Sequence, residues 1–160
     1  MLDYLDVAGP VRAEVFVVSN TRNGPVLSGP DGPGPWLLEV HDTEHPMESV
    51  RRIVESTVPG TRLVHSTSWR WEEGMVVLSF LAVSDRPVGE AAVVSRVDLA
   101  RGSAKGAPTQ IASDQVLEHA LRHLAWLAED DETVRAKLDG DWRNLLDRYV
   151  PEPFRQLGGG

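Results

Sequence analysis

The chain has 160 residues, 41% of them hydrophobic and 25% charged, which suits one domain with a single sizeable core and leaves little room for two. Its net charge of −8 opposes long-range attraction to nucleic acid or to an anionic membrane surface, and no apolar run approaches the roughly 18 residues of a membrane span. With no cysteine, disulfides, thiolate metal sites and cysteine nucleophiles are excluded; the acidic start, residues 1–6, lacks the basic-then-apolar order of a secretory signal, so a cytoplasmic location is expected.

In chain order, Val15 to Val18 form a β-rich run within a predicted strand at 13–19, which stops at the turn-forming stretch 20–24. A second strand at 25–28 completes a hairpin. The prolines at 30, 33 and 35 then forbid helix or central strand, and strand resumes at 36–41. Pro46 suits the first turn of a helix, in which Met47, Val50, Ile53, Val54 and Thr57 recur at spacings of three and four until Pro59 and Gly60 end it. Strands at 62–71 and 75–84 flank a short glycine-containing connection at 72–74, and another strand is expected at 92–99. The Gly/Ala/Ser-rich stretch 101–112 predicts a mobile connection. Beyond it the apolar period becomes helical, with Ser113 as N-cap of a helix to about 129 that buries Val116, Leu117, Ala120, Leu121, Leu124 and Leu127. Short helices are expected at 132–138 and 142–149, and a disordered tail at 158–160.

The helix at 46–57 and the loop before it carry a recognisable spacing. Seven residues separate Glu44 from Arg52, and an aliphatic residue, Val54, follows two positions later. With the order hairpin, glycine-rich loop, strand, helix, hairpin, this segment resembles the Nudix family, whose signature is G-x5-E-x7-R-E-U-x-E-E-x-G-U with U a bulky aliphatic. The resemblance covers about residues 12–85. In that family the glutamates converge on one helix and hold magnesium against a substrate diphosphate. Here Ile53, Ser56 and Thr57 stand at three of the four glutamate positions, Leu38 at the first glycine and Pro59 at the second, with Gly60 one residue late. Placing Arg51 as the motif arginine instead puts Thr43 and Arg52 at the first two glutamate positions, a worse match. An aliphatic and two hydroxyl side chains cannot supply the anionic oxygens that magnesium prefers. The resemblance thus implies the fold without its usual metal cluster.

The loop at 29–35 lacks the consecutive N–H donors of a phosphate cradle because of its prolines. The pairs His41/His45 and His119/His123 have helical spacing but no evident third ligand, so hydrogen-bonded histidine is the expected role and no metal or cofactor is predicted. Trp69 and Trp71 share one strand face, opposite Arg70; core packing of at least one is expected, and the alternative is a stacking platform with Trp36 contributing. His119, His123 and Trp126 form a stripe off the main apolar helix face. The C-terminal segment folding back through Trp142, Leu145 or Tyr149 would cover it, or a partner surface would.

The expected fold is therefore α/β (α+β): a Nudix-like mixed sheet with flanking helices over 12–112, and a helical region at 113–150 docked on the same domain, 1–157. The expected role is a catalytically inactive binding or interaction module, with Trp36, Glu44, Arg52, Trp69 and Trp71 as ligand-binding residues and His119, His123 and Trp126 as interface. A nucleotide-like small molecule, a protein partner and a second copy of the chain (a homodimer) are the occupants considered. Two alternatives stand beside it: a Nudix-type hydrolase of a nucleoside diphosphate-linked compound with ligands relocated to Glu44, Glu48 and Glu55, and a structural or assembly protein.

Overall fold

Val15, Phe16, Val17 and Val18 are all fully buried, so the first strand is apolar on both faces, as a central strand must be. The structure, a computed structural model, describes residues 11–22, 24–40, 45–94 and 113–157. In it β1 (Val11–Thr21) pairs in parallel with β5 (Met75–Ser84) along one edge. Its other edge is shared: β2 (Gly24–Ser28) pairs antiparallel with residues 17–21 and β3 (Trp36–Val40) antiparallel with residues 11–15. β4 (Thr61–Glu72) returns antiparallel to β5 through Glu73 and Gly74, whose φ values of 54° and 76° are the two positive angles of a tight hairpin turn. Short strands β6 (Ala91–Val93) and β7 (Arg155–Gln156) complete a mixed sheet of order β6-β2-β1-β5-β4-β7.

Helices cover both faces. α1 (Pro46–Thr57) opens with His45, whose Nδ1 accepts from the Met47 N–H at 3.3 Å, and buries Val50 and Val54 against Val15, Val17, Phe80 and Ala82. It ends where predicted: the Val58 N–H reaches the Val54 carbonyl at 2.8 Å and Gly60 turns the chain at φ +69°. On the other face α2 (Ser113–Asp130) lays all six of its predicted apolar residues against Phe16, Val18, Leu81 and Val83. α3 (Glu132–Ala136) and α4 (Gly140–Leu146) are capped by the carboxylates of Asp131 and Asp139, and they carry Val134, Trp142, Leu145 and Leu146 into the same core. Among the described residues no helix is long and apolar enough to cross a membrane.

The α+β class is as expected, and several details differ. Helix 142–149 begins at Gly140, because Asp139 is the N-cap, and stops at Leu146; helix 132–138 stops at Ala136. Ser113 is the first residue of α2, with its side chain outside the described residues. Strand 92–99 is described only as Ala91–Val93. Residues 95–99, the connection 101–112, the tail 158–160, His41 and Glu44 lie outside the described residues. β7 was not foreseen.

Candidate functional site

Directly opposed residues of a sheet project to the same side, so the strand registers fix what each predicted site residue can meet. Trp69 sits in a row with Leu78, Ala13 and Leu38, and Trp71 in the next row with Val76, Val11 and Val40, all on the α1 side. The two indoles meet edge to face, centroids 6.2 Å apart at 74°. Neither belongs to a core cluster; Trp69 is half-buried and Trp71 is 53% exposed. Trp36 does not join them. It is on β3, three strand spacings or about 14 Å from β4, and is buried in the core against α1. On α1 itself Arg52 is exposed, Ile53 packs half-buried against the core, the Ser56 hydroxyl donates to the Ile53 carbonyl at 3.0 Å, and Thr57 faces solvent. Among the described residues no group of three or more His, Asp or Glu gathers in a metal-holding geometry.

The α2 side of the sheet is apolar at one end and polar at the other. Glu14 and Arg70 are 3% and 8% exposed and joined by a two-pronged ion pair of 2.6 and 3.2 Å. The Ser79 hydroxyl donates to Glu14 at 2.7 Å, and Arg70 Nε donates to Glu72 at 2.9 Å. Burial opposes the charge on Arg70, but the bonds and attraction of Glu14, then Glu72, outweigh it and hold the guanidinium above its ordinary proton affinity. The only sequence signs of this network were an acidic residue inside the β1 run and an arginine between two tryptophans.

The histidine stripe of α2 is not open to a partner. His119 and His123 are 1% and 2% exposed, enclosed by β4 and by residues 150–157, a strap that crosses α2 and ends as β7. The face is covered by the chain's own C-terminal segment, the first of the two coverings expected for it, and only Trp126 of the three keeps part of its surface exposed. The covering contacts come chiefly from Glu152 and Phe154, beyond the Trp142–Tyr149 region expected to supply them. Glu152 accepts from His119 Nδ1 at 2.8 Å through its carboxylate and from His123 Nδ1 at 2.9 Å through its carbonyl. A bulge in β4 between Ser66 and Ser68 turns the Thr67 carbonyl toward His119 Nε2, 3.1 Å away. His123 stacks on Trp126, which is half-buried, at 5.6 Å and 16°. Burial lowers the proton affinity of His123; the bond to the Glu152 carbonyl raises it, and His65 and His119 lower it further.

β7 pairs with only Ser68 and Trp69 of β4, so the edge from residue 61 to 66 has no strand partner among the described residues. A cavity of about 340 Å³ runs there, lined by the consecutive residues Arg62, Leu63, Val64 and His65. Side chains of a strand alternate between faces, so a cavity touching four in succession lies along the strand's edge, at its backbone. α1 supplies one wall with Arg51 and Glu55; Asp131, Val134 and Lys137 supply the other. The lining holds three cations and two anions, +1 in a chain of net −8. Arg62 is bound to Asp85 and to the Lys137 carbonyl, whereas the side chains of Arg51 and Lys137 have no carboxylate partner among the described residues.

No family model and no curated protein matches the chain.

Proposed function

We propose that the chain is a non-hydrolytic interaction module on a Nudix-like frame, and that it takes an extended, acidic peptide as an added strand on the open edge of β4. The carrying observation is the edge-following cavity at residues 62–65. Strand addition satisfies the unpaired backbone groups of an edge, which gives affinity, while flanking side chains select sequence. The chain's own β7 occupies the neighbouring stretch of the same edge in parallel. Arg51 and Lys137, one on each wall, favour carboxylates on the incoming strand. The loss of hydrolysis is supported by α1: Ile53 is drawn toward the core and Ser56 is bonded back to its own helix, where that family places metal-binding glutamates.

The test is selection of a displayed random heptapeptide library on the wild-type chain, with counter-selection on the double variant Arg51→Glu, Lys137→Glu. Acidic peptides should be enriched on the wild type only, and should protect the amides of residues 62–66 from exchange. Absence of enrichment, or protection elsewhere, overturns the peptide site. Turnover of a nucleoside diphosphate compound with magnesium, relying on Glu44, Glu48 or Glu55, overturns the non-hydrolytic assignment.

A second reading rests on Trp71, 53% exposed beside Trp69. An exposed indole face stacks planar rings, so a nucleotide-like ligand would quench its fluorescence, and Trp71→Ala would abolish that quenching without unfolding the domain.

A further inference from the structure

His65 has two roles in the geometry. It lines the β4 groove, and its ring lies 5.7 Å from that of His123, in a cluster that also holds His119. The cluster fixes the strap at 150–157. The Glu152 N–H donates to the Arg122 carbonyl at 3.1 Å, the two histidines hold Glu152 from both its carboxylate and its carbonyl, and the Leu157 N–H donates to the Trp69 carbonyl at 2.9 Å. We propose that His123, seated between the rings of His119 and His65, is a proton-operated latch, which keeps the strap on the β4 edge while its ring is neutral and frees it when it charges. Freed of the strap, the edge open to a peptide extends beyond residue 66 through Ser68 and Trp69; this consequence rests on the peptide-site reading, whereas the latch does not.

The surroundings of His123 show why a proton there is incompatible with the closed strap. The ring lies nearly parallel to His119 at 13°, against Trp126 at 16°, and is capped edge-on by Phe154, so it has almost no contact with water. Among the described residues the charged and titratable groups around it are His119, Glu118 and Arg122 on α2, His65 on β4, and Glu152 and Arg155 on the strap. Both carboxylates are committed: Glu118 to Arg122 at 3.4 Å, and Glu152 to His119, with Arg122 and Arg155 at 3.9 and 3.8 Å. Among the described residues, a proton on His123 therefore meets two other imidazoles and no carboxylate outside an ion pair.

The sign follows from linkage. Burial depresses the proton affinity of His123 in the closed state, and lifting the strap returns the ring toward its ordinary value of 6.5. The open form then binds more protons, so the closed form is fully favoured above that value and loses favour as pH falls below it. One proton shifts the opening equilibrium by at most about tenfold per pH unit.

The experiment is amide exchange by NMR on the full chain from about pH 8 to about pH 5, corrected for the intrinsic rate at each pH. The Glu152 and Leu157 amides should lose protection by up to about tenfold per pH unit below the ordinary histidine value, while the Phe80 amide in β5 keeps its own. His123→Asn retains an N–H donor near the Nδ1 position and cannot charge, so the strap should stay protected into acid. Should that variant not fold, His65→Gln removes one imidazole that disfavours the proton on His123 and should make the loss shallower and smaller in total. Flat protection in the wild type, or an unaltered slope in either variant, overturns the latch. Adding an acidic peptide from the display selection to the same samples separates the two readings. Binding with a flat profile removes the latch alone; a sloping profile with no binding at any pH removes the peptide site alone.

Discussion

Replacing Arg70 by Met strands Glu14, whose side chain is 4% exposed, at the polar end of the sheet. The carboxylate keeps the Ser79 hydroxyl, but it loses both guanidinium bonds, at 2.6 and 3.2 Å. An unpaired buried charge costs far more than the intact pair contributes, so the single variant should lose about 3–5 kcal/mol. That is a large share of a domain stability of about 5–15 kcal/mol. Glu72 is half-buried and can turn to solvent, so its loss of the Arg70 Nε bond adds little. The double variant Glu14→Leu, Arg70→Met removes both charges and fills the space with apolar volume; it should return to within about 1–2 kcal/mol of wild type. Urea unfolding followed by tryptophan fluorescence measures each midpoint, with the slope checked for constancy. A single variant that loses under about 1 kcal/mol, or a double variant as unstable as the single, would refute the claim that Glu14 is desolvated and, among the described residues, held by Arg70 alone of the cations.

Two further predictions are independent of that pair. Gly60→Ala places a side chain at φ +69° and a Cβ 2.9 Å from the Asp85 side chain, so it should lower Tm by at least about 2–4 °C, the share of the left-handed angle alone, as read by differential scanning calorimetry. The triple variant Ile53→Glu, Ser56→Glu, Thr57→Glu places carboxylates where the proposed Nudix-like register would have them; it should gain magnesium-dependent stabilisation of about 2.7 kcal/mol at about 100 times Kd, whereas a Tm indifferent to magnesium would refute that proposed register.

Much of the scaffold was legible because its signals are local. The 46–57 helix is marked by Pro46, by apolar residues at three and four, and by Pro59-Gly60, and the structure places its ends at those residues. The β4–β5 hairpin was visible as two β-rich runs around a glycine, since a turn with two positive φ angles leaves a sequence trace. Asp131 caps a helix that starts at 132 as expected, whereas Asp139 is an equally local N-cap signal that the expected start at 142 leaves out.

The candidate sites were less legible because each depends on strand order, which no window of sequence contains. Trp36, Trp69 and Trp71 have the composition of a platform, yet β1 and β5 lie between β3 and β4 and keep Trp36 apart from the other two. His119 and His123 looked like a free stripe because the segment that covers them begins only at residue 150, with Glu152 reaching back 33 residues to His119. The β4 groove has no motif at all. It exists because β7 stops after two residues, leaving the outer edge of residues 61–66 without a strand partner among the described residues, between walls from α1 and from the α2–α3 junction. Since affinity in such a groove would come from main-chain groups, substitutions at Arg62 and His65, whose side chains are not committed to the core as those of Leu63 and Val64 are, should alter which peptides bind more than whether any binds, whereas a proline placed on the edge should remove binding of any sequence.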